Sequence, residues 1–125
     1  MRRETITTDR IAPSVGPFSA AVRAGDLLFL SGQVALDPAT GKLVGGDIGA
    51  QTEQIFVNIS AVLEAAGKSF DDVMKTTIYL ADMKDFGAIN TVYARYFQTP
   101  YPARTTIQAA SLPLGAAVEI EVVAR

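Results

Sequence analysis

The 125 residues contain no cysteine, no histidine and no tryptophan. Without cysteine there is no disulfide framework, thiol nucleophile or zinc finger. Without histidine there is neither a Ser-His-Asp triad nor an imidazole-ligated metal. Any chemistry has to be done with carboxylates, lysine, arginine, tyrosine and hydroxyls. Long apolar runs are also missing: nothing approaches the roughly 20 residues of a membrane span. The basic opening MRRETITTDR is not followed by the apolar stretch of a secretory signal, so a cytoplasmic protein that engages no membrane is expected. Charge of one sign is lacking too. Eleven Lys and Arg against thirteen Asp and Glu leave a formal charge of -2, scattered without blocks, which gives no electrostatic footprint for nucleic acid.

What is present is a chain that is 49% hydrophobic, with glycines and prolines falling singly between periodic segments. This reads as a single domain over residues 1–125 with one core. Thr5–Thr7, Ser19–Ala24 and Leu27–Ser31 are short β-compatible runs, with Gly25-Asp26 as a hairpin turn. From about Gly49 to Ala66 the period changes: Ile55, Phe56, Ile59, Val62, Leu63 and Ala66 share one helical face, and Gly67 sits where a C-terminal glycine would end the helix. Val73–Leu80 is β-branched and aromatic, hence a strand. A second helix is predicted from Asp82 or Met83 to Phe97, with Asp82 as its N-cap and Tyr93, Tyr96 and Phe97 in the core. Pro100 and Pro102 bracket a stiff connection to two last strands, Thr105–Ala109 and Ala117–Ala124.

That order predicts an α+β fold in which one mixed sheet carries both helices on one face. Leu27-Leu28-Phe29-Leu30 is apolar at every position, so it calls for burial on both faces. With both helices on one side, the bare face is expected to meet another copy of the chain.

Few residues stand out chemically. Arg104, in Pro102-Ala103-Arg104-Thr105-Thr106, sits at the mouth of a strand behind a stiff loop. It offers a planar fork of donors suited to a carboxylate, although a surface arginine or a cross-sheet ion pair is the commoner reading of such a residue. In Val118-Glu119-Ile120-Glu121-Val122 the carboxylates share one face and the aliphatic residues the other. Were the aliphatic face to meet the helices, Glu119 would point to the proposed interface, where partial burial raises a carboxyl pKa toward that of a useful acid or base. For Glu121 an edge strand with a solvated glutamate, or a structural ion pair, is favoured. Ser31-Gly32-Gln33 joins a hydroxyl to close backbone approach at a strand end, a pattern that also fits a plain turn. Asn90 lies at helical spacing beside apolar positions. Gly16-Pro17-Phe18 reads as a turn. No phosphate-binding loop, dinucleotide fingerprint or calcium loop occurs.

Together these elements resemble the RidA (YjgF) family of reactive imine and enamine deaminases. The resemblance runs through Gly16-Pro17-Phe18-Ser19, Ser31-Gly32-Gln33, Asp37-Pro38, Gln54, Asn58, Ala65-Ala66-Gly67, Lys75-Thr76-Thr77, Asn90, Tyr93 and Tyr96-Phe97. It ends in the most specific stretch, Pro102-Ala103-Arg104, Leu112-Pro113 and Val118-Glu119-Ile120-Glu121. It implies a chorismate-mutase-like fold assembled as a homotrimer, with sites between subunits. It also implies cofactor-free hydrolysis of 2-imino or 2-enamino acids such as 2-aminoacrylate and 2-aminocrotonate. On this resemblance Arg104 holds the substrate carboxylate with help from the Thr106 amide, Glu119 activates water, Gly32 is a second anchor, and Ser31, Asn90 and Phe18 line the pocket. Phe18 departs from the family's usual tyrosine and lacks its hydroxyl. Two other functions are open to such a chain: a trimer that binds 2-keto acids or amino acids without turnover, and an endoribonuclease that inhibits translation. The missing histidine and the net negative charge weigh against the latter.

Overall fold

A computed structural model describes residues 2–125. In chain order the elements are β1 (Glu4–Ile6), β2 (Ala21–Ala24), β3 (Leu27–Leu30), α1 (Ile48–Ala65), β4 (Val73–Leu80), α2 (Phe86–Tyr96), β5 (Ala103–Gln108) and β6 (Val118–Ala124). The strands form one sheet in the order β1-β2-β3-β6-β4-β5. Neighbours are antiparallel except β4 and β5, which run parallel. Parallel neighbours need a crossover connection, and α2 provides it. The mixed sheet with two helices is the architecture expected from the alternation of periods.

Both ends of α1 are fixed by side-chain and backbone chemistry. The Asp47 carboxylate accepts from the Ala50 amide at 2.9 Å, an N-cap that satisfies one of the unpaired first-turn donors. At the far end Gly67 takes φ +75°, and the Gly67 and Lys68 amides donate back to Glu64 and Leu63. This is a Schellman closure, which needs the left-handed conformation that glycine adopts without steric cost. The second helix starts later than its apolar spacing suggests. Asp82 caps a separate 3-10 turn, Met83–Asp85, by accepting from the Lys84 amide, and α2 proper begins at Phe86. The terminal strands also shift by one or two residues, to Glu4–Ile6 and Ala103–Gln108.

The core lies between the helices and one face of the sheet. Val118, Ile120, Val122 and Ala124 of β6 join Ile78 and Leu80 of β4, Leu28 and Leu30 of β3, and the apolar stripes of α1 and α2 in a single cluster. Among its buried polar groups, Thr76 shares a hydrogen bond with the Tyr93 hydroxyl at 2.9 Å. Asn58 donates to the Leu36 carbonyl at 2.9 Å and accepts from Gln54 at 3.0 Å. These pairings meet the requirement that a buried polar group be hydrogen-bonded.

The opposite face has no helix on it. Leu27 is 36% and Phe29 44% exposed, while their neighbours Leu28 and Leu30 are buried. On the same face Ile107 of β5 is 44% exposed. The doubly apolar β3 is therefore covered on one face only within one chain. β6 is central, between β3 and β4, so Glu121 is not on an edge strand as expected. Nor does it form an ion pair among the described residues: it accepts a short hydrogen bond from the Tyr79 hydroxyl on the uncovered face.

Candidate active site

Arg104 is set by the register of β5. It lies abreast of Thr76, and Thr106 lies abreast of Ile78. Because Thr76 and Ile78 are buried, Arg104 and Thr106 face the helices. The guanidinium stands over the ring of Tyr93 at 4.7 Å and that of Phe86 at 5.3 Å, within the range where an aromatic face attracts a cation. Its Nε donates to the Thr106 hydroxyl at 2.8 Å. Among the described residues no carboxylate reaches it, so neither the surface arginine nor the cross-sheet ion pair holds. Arg104 Nη2 and Asn90 Oδ1 are buried without a hydrogen-bond partner. Both residues line one cavity with Phe86, Tyr93, Tyr101 and Pro102. Burial draws the arginine's pKa down from its ordinary value. A fixed, partly desolvated cation with an unused donor is complementary to an anion that brings its own acceptors.

Tyr93, expected only in the core, thus has a second role as the platform under Arg104. The spacing of Phe86, Asn90 and Tyr93 carries the signal for this half-site, since positions separated by four and then three residues share one face of a helix. Recognising it needs the knowledge that β5 packs beside that face.

Glu119 is on the other side of the sheet. It pairs with Tyr79 in register and alternates with the buried Val118 and Ile120. Burial, and then the neighbouring Glu121, push its carboxyl above the ordinary carboxylate value. Glu119 lines a cleft of about 320 Å³ together with Phe18, Ser31, Gly32 and Leu114. Gly32 is there for space: a Cβ at this position would fall 2.9 Å from Glu119 Cδ. The carboxylate therefore lies directly over the glycine backbone, the close approach that only glycine permits.

Gly32→Ala is expected to displace Glu119 without unfolding the chain, because the colliding atoms belong to a side chain that can swing away. Activity should drop by about 10²-fold, the cost of misplacing a reacting group by an ångström. Paired activity and thermal melting measurements check this, and a collapse of the melting temperature would contradict it.

Ser31 lines this cleft, but its hydroxyl donates to the Ser19 carbonyl at 2.6 Å. It thereby ties the Phe18 loop to the end of β3. Phe18 is 50% exposed and follows a tight turn in which its amide donates to the Gly16 carbonyl at 2.9 Å. The expected residues thus fall into two groups. Arg104, Thr106 and Asn90 lie on the helix-covered face, and Glu119, Gly32, Ser31 and Phe18 in the cleft beyond it. One chain does not bring Arg104 and Glu119 together. Among the described residues no group of three or more metal-ligating side chains is gathered, and no helix is long and apolar enough to cross a membrane.

The chain is similar to known proteins over nearly its whole length. A RutC family protein of Pyrococcus horikoshii is 48% identical over 122 residues, 98% of this chain and 97% of that protein. The 2-iminobutanoate/2-iminopropanoate deaminase of Mus musculus is 45% identical over 122 residues, 98% of this chain and 90% of the mouse protein. The crystal structure of RidA from an Antarctic Psychrobacter superposes with a TM-score of 0.93 at 45% identity, covering 98% of each chain. The family model described as Endoribonuclease L-PSP matches residues 7–125. With its fold, its length and nearly half of its residues shared with such relatives, the chain belongs to the RidA (YjgF) family.

Proposed function

We propose that the protein hydrolyses reactive 2-imino and 2-enamino acids, among them 2-iminobutyrate and 2-aminoacrylate, to 2-keto acids and ammonia, as a homotrimer whose sites lie between subunits. The observation that carries this reading is the half-buried Arg104 guanidinium, whose Nη2 is buried without a hydrogen-bond partner and which no carboxylate among the described residues reaches. A small carboxylate substrate supplies what it lacks. The uncovered sheet face, with Phe29, Leu27 and Ile107 exposed, offers the surface on which copies associate. Association brings the Glu119 cleft of one copy to the Arg104 cavity of its neighbour.

In this reading Arg104 and the Thr106 amide hold the substrate carboxylate, and Asn90 completes that end of the pocket. An enamine first takes a proton from solvent at C3 to become the iminium, and an imine reaches the same state by taking a proton at nitrogen. The Glu119 carboxylate accepts a proton from water as the water oxygen bonds to C2, and the C=N electron pair moves to nitrogen. Glu119 then returns the proton to that nitrogen. As the hydroxyl passes its proton to the Glu119 carboxylate and the carbonyl forms, the C–N bond of the protonated amine breaks and ammonia leaves. Gly32 allows the carboxylate to sit where water and C2 meet. Imines hydrolyse unaided, so orientation and one base supply the acceleration. No step calls on a metal or an organic cofactor.

The test is a coupled assay in which a threonine dehydratase generates 2-iminobutyrate in place. The protein is expected to speed release of 2-ketobutyrate and ammonia above the dehydratase alone. Binding of 2-ketobutyrate without any acceleration would favour a ligand-binding trimer instead. The endoribonuclease reading has less support: the chain has no histidine and carries a charge of -2, and RNA cleavage and binding draw on an acid-base pair and a basic groove.

A further inference from the structure

We propose that the side-chain hydroxyl of Thr106 is a positioning group: it fixes the Arg104 guanidinium in its plane, so that the cation meets a carboxylate ligand already oriented. This rests on the reading of Arg104 as the carboxylate anchor. It gives Thr106 a role through its side chain, separate from that of its main-chain amide.

Arginine is a long side chain with much rotamer freedom, and a carboxylate of the same protein is a common means of holding one still. Among the described residues no carboxylate reaches Arg104. Three other neighbours set its pose. The Tyr93 ring at 4.7 Å and the Phe86 ring at 5.3 Å fix how far the guanidinium stands from α2. A ring face attracts a cation without requiring one rotation of it, so stacking alone leaves the group free to turn above the rings. The hydrogen bond from Nε to Thr106 Oγ1 at 2.8 Å removes that freedom, because a hydrogen bond weakens steeply as it bends. It also occupies Nε, which leaves Nη1 and Nη2 as the donors for a ligand. Nη2 is the one that is buried without a partner.

The hydroxyl is itself held in place. Thr106 follows Arg104 by two positions on β5, so the pleat puts both side chains on one face, and it lies abreast of the buried Ile78. Threonine is β-branched, which restricts its χ1 and hence the position of its oxygen. A second threonine steadies the platform below the cation. Thr76, wholly buried and abreast of Arg104, shares a hydrogen bond with the Tyr93 hydroxyl at 2.9 Å. All of these groups lie on the side of the sheet that the chain covers with its own helices, so the frame around Arg104 needs nothing from a neighbouring copy.

Thr106→Val keeps the β-branch, nearly the same volume and the main-chain amide, and removes only the acceptor. It is expected to weaken binding of 2-ketobutyrate, followed by calorimetric titration, by about tenfold, the order set by one hydrogen bond to a charged group. KM for 2-iminobutyrate generated in place should rise by a similar factor while kcat stays within about twofold, since the carboxylate contact is made equally in the bound substrate and in the transition state. Thr106→Ser returns the oxygen and should recover most of both losses. Thr106→Ala lacks the oxygen and should behave as Thr106→Val does, so a folding failure in one variant does not decide the matter. The Arg104 Nε–H resonance, assigned by its disappearance in Arg104→Lys, should be sharp and slow to exchange in wild type and Thr106→Ser, and broadened or lost in Thr106→Val. Wild-type affinity and KM in Thr106→Val, or losses that Thr106→Ser does not recover, overturn this inference and leave deamination standing. Binding of 2-ketobutyrate that weakens in Thr106→Val, without turnover of the imine by wild type, keeps the inference and removes deamination. Neither binding nor turnover by wild type overturns both.

Discussion

Arg104→Ala is expected to reduce kcat/KM for 2-imino acids on the order of 10²- to 10⁴-fold while leaving the chain folded. The magnitude follows from the contact that is lost. A hydrogen bond to a charged group contributes about 1.5–3 kcal/mol, and a guanidinium fork offers a carboxylate two of them. Folding should be spared because the native chain gives Arg104 no ion pair to lose. What goes is one hydrogen bond to Thr106 and the stacking on Tyr93 and Phe86, set against relief from burying a charge. Arg104→Lys keeps the charge but not the planar fork, and should recover only part of the activity. Titration with 2-ketobutyrate provides a separate readout, in which wild type binds and Arg104→Ala does not. Equal turnover by wild type and Arg104→Ala would remove the enzyme reading altogether.

Glu119→Gln should lower kcat by about 10²- to 10⁴-fold, the usual loss when a positioned base is removed. Its pH dependence is the sharper result. Burial and Glu121 raise the Glu119 pKa above the ordinary 4.5, and the water-activating form is the ionised one. Wild-type activity should therefore rise with pH through a midpoint above that of a free carboxylate, a limb that the glutamine variant lacks. Stability runs the other way. Between the ordinary and the raised value the native chain keeps a proton that the unfolded chain has lost, so this group's contribution is fully present below 4.5 and is lost as pH rises through the native pKa. Glu119→Gln removes that loss, and at neutral pH it should melt no lower than wild type. An unchanged pH profile in the variant would show that the titrating group lies elsewhere.

Much of the fold could be read from periodicity. The α1 stripe, the β4 run and the alternation in β6 each obey a local geometric rule, and the alternation alone puts Glu119 opposite the core. Arg104 was harder to place. Its face depends on lying abreast of Thr76, a register fixed by the crossover and by no local pattern. Spacing puts the start of α2 too early, because Asp82 is a good cap whether the turn after it is 3-10 or α. The spacing of Tyr93 points to the core, and it is buried, yet nothing local tells that an arginine rests on its ring.

The placement of Arg104 and Glu119 on opposite faces of one sheet has a genetic reading. In the proposed trimer each chain serves two sites, lending its arginine to one and its glutamate to another. A chain without its arginine still offers an intact glutamate to a neighbour, and the reverse holds for a chain without its glutamate. Two alleles, each silent alone, would complement one another when expressed together, because a mixed ring rebuilds a whole site at the junction where the two surviving halves face each other.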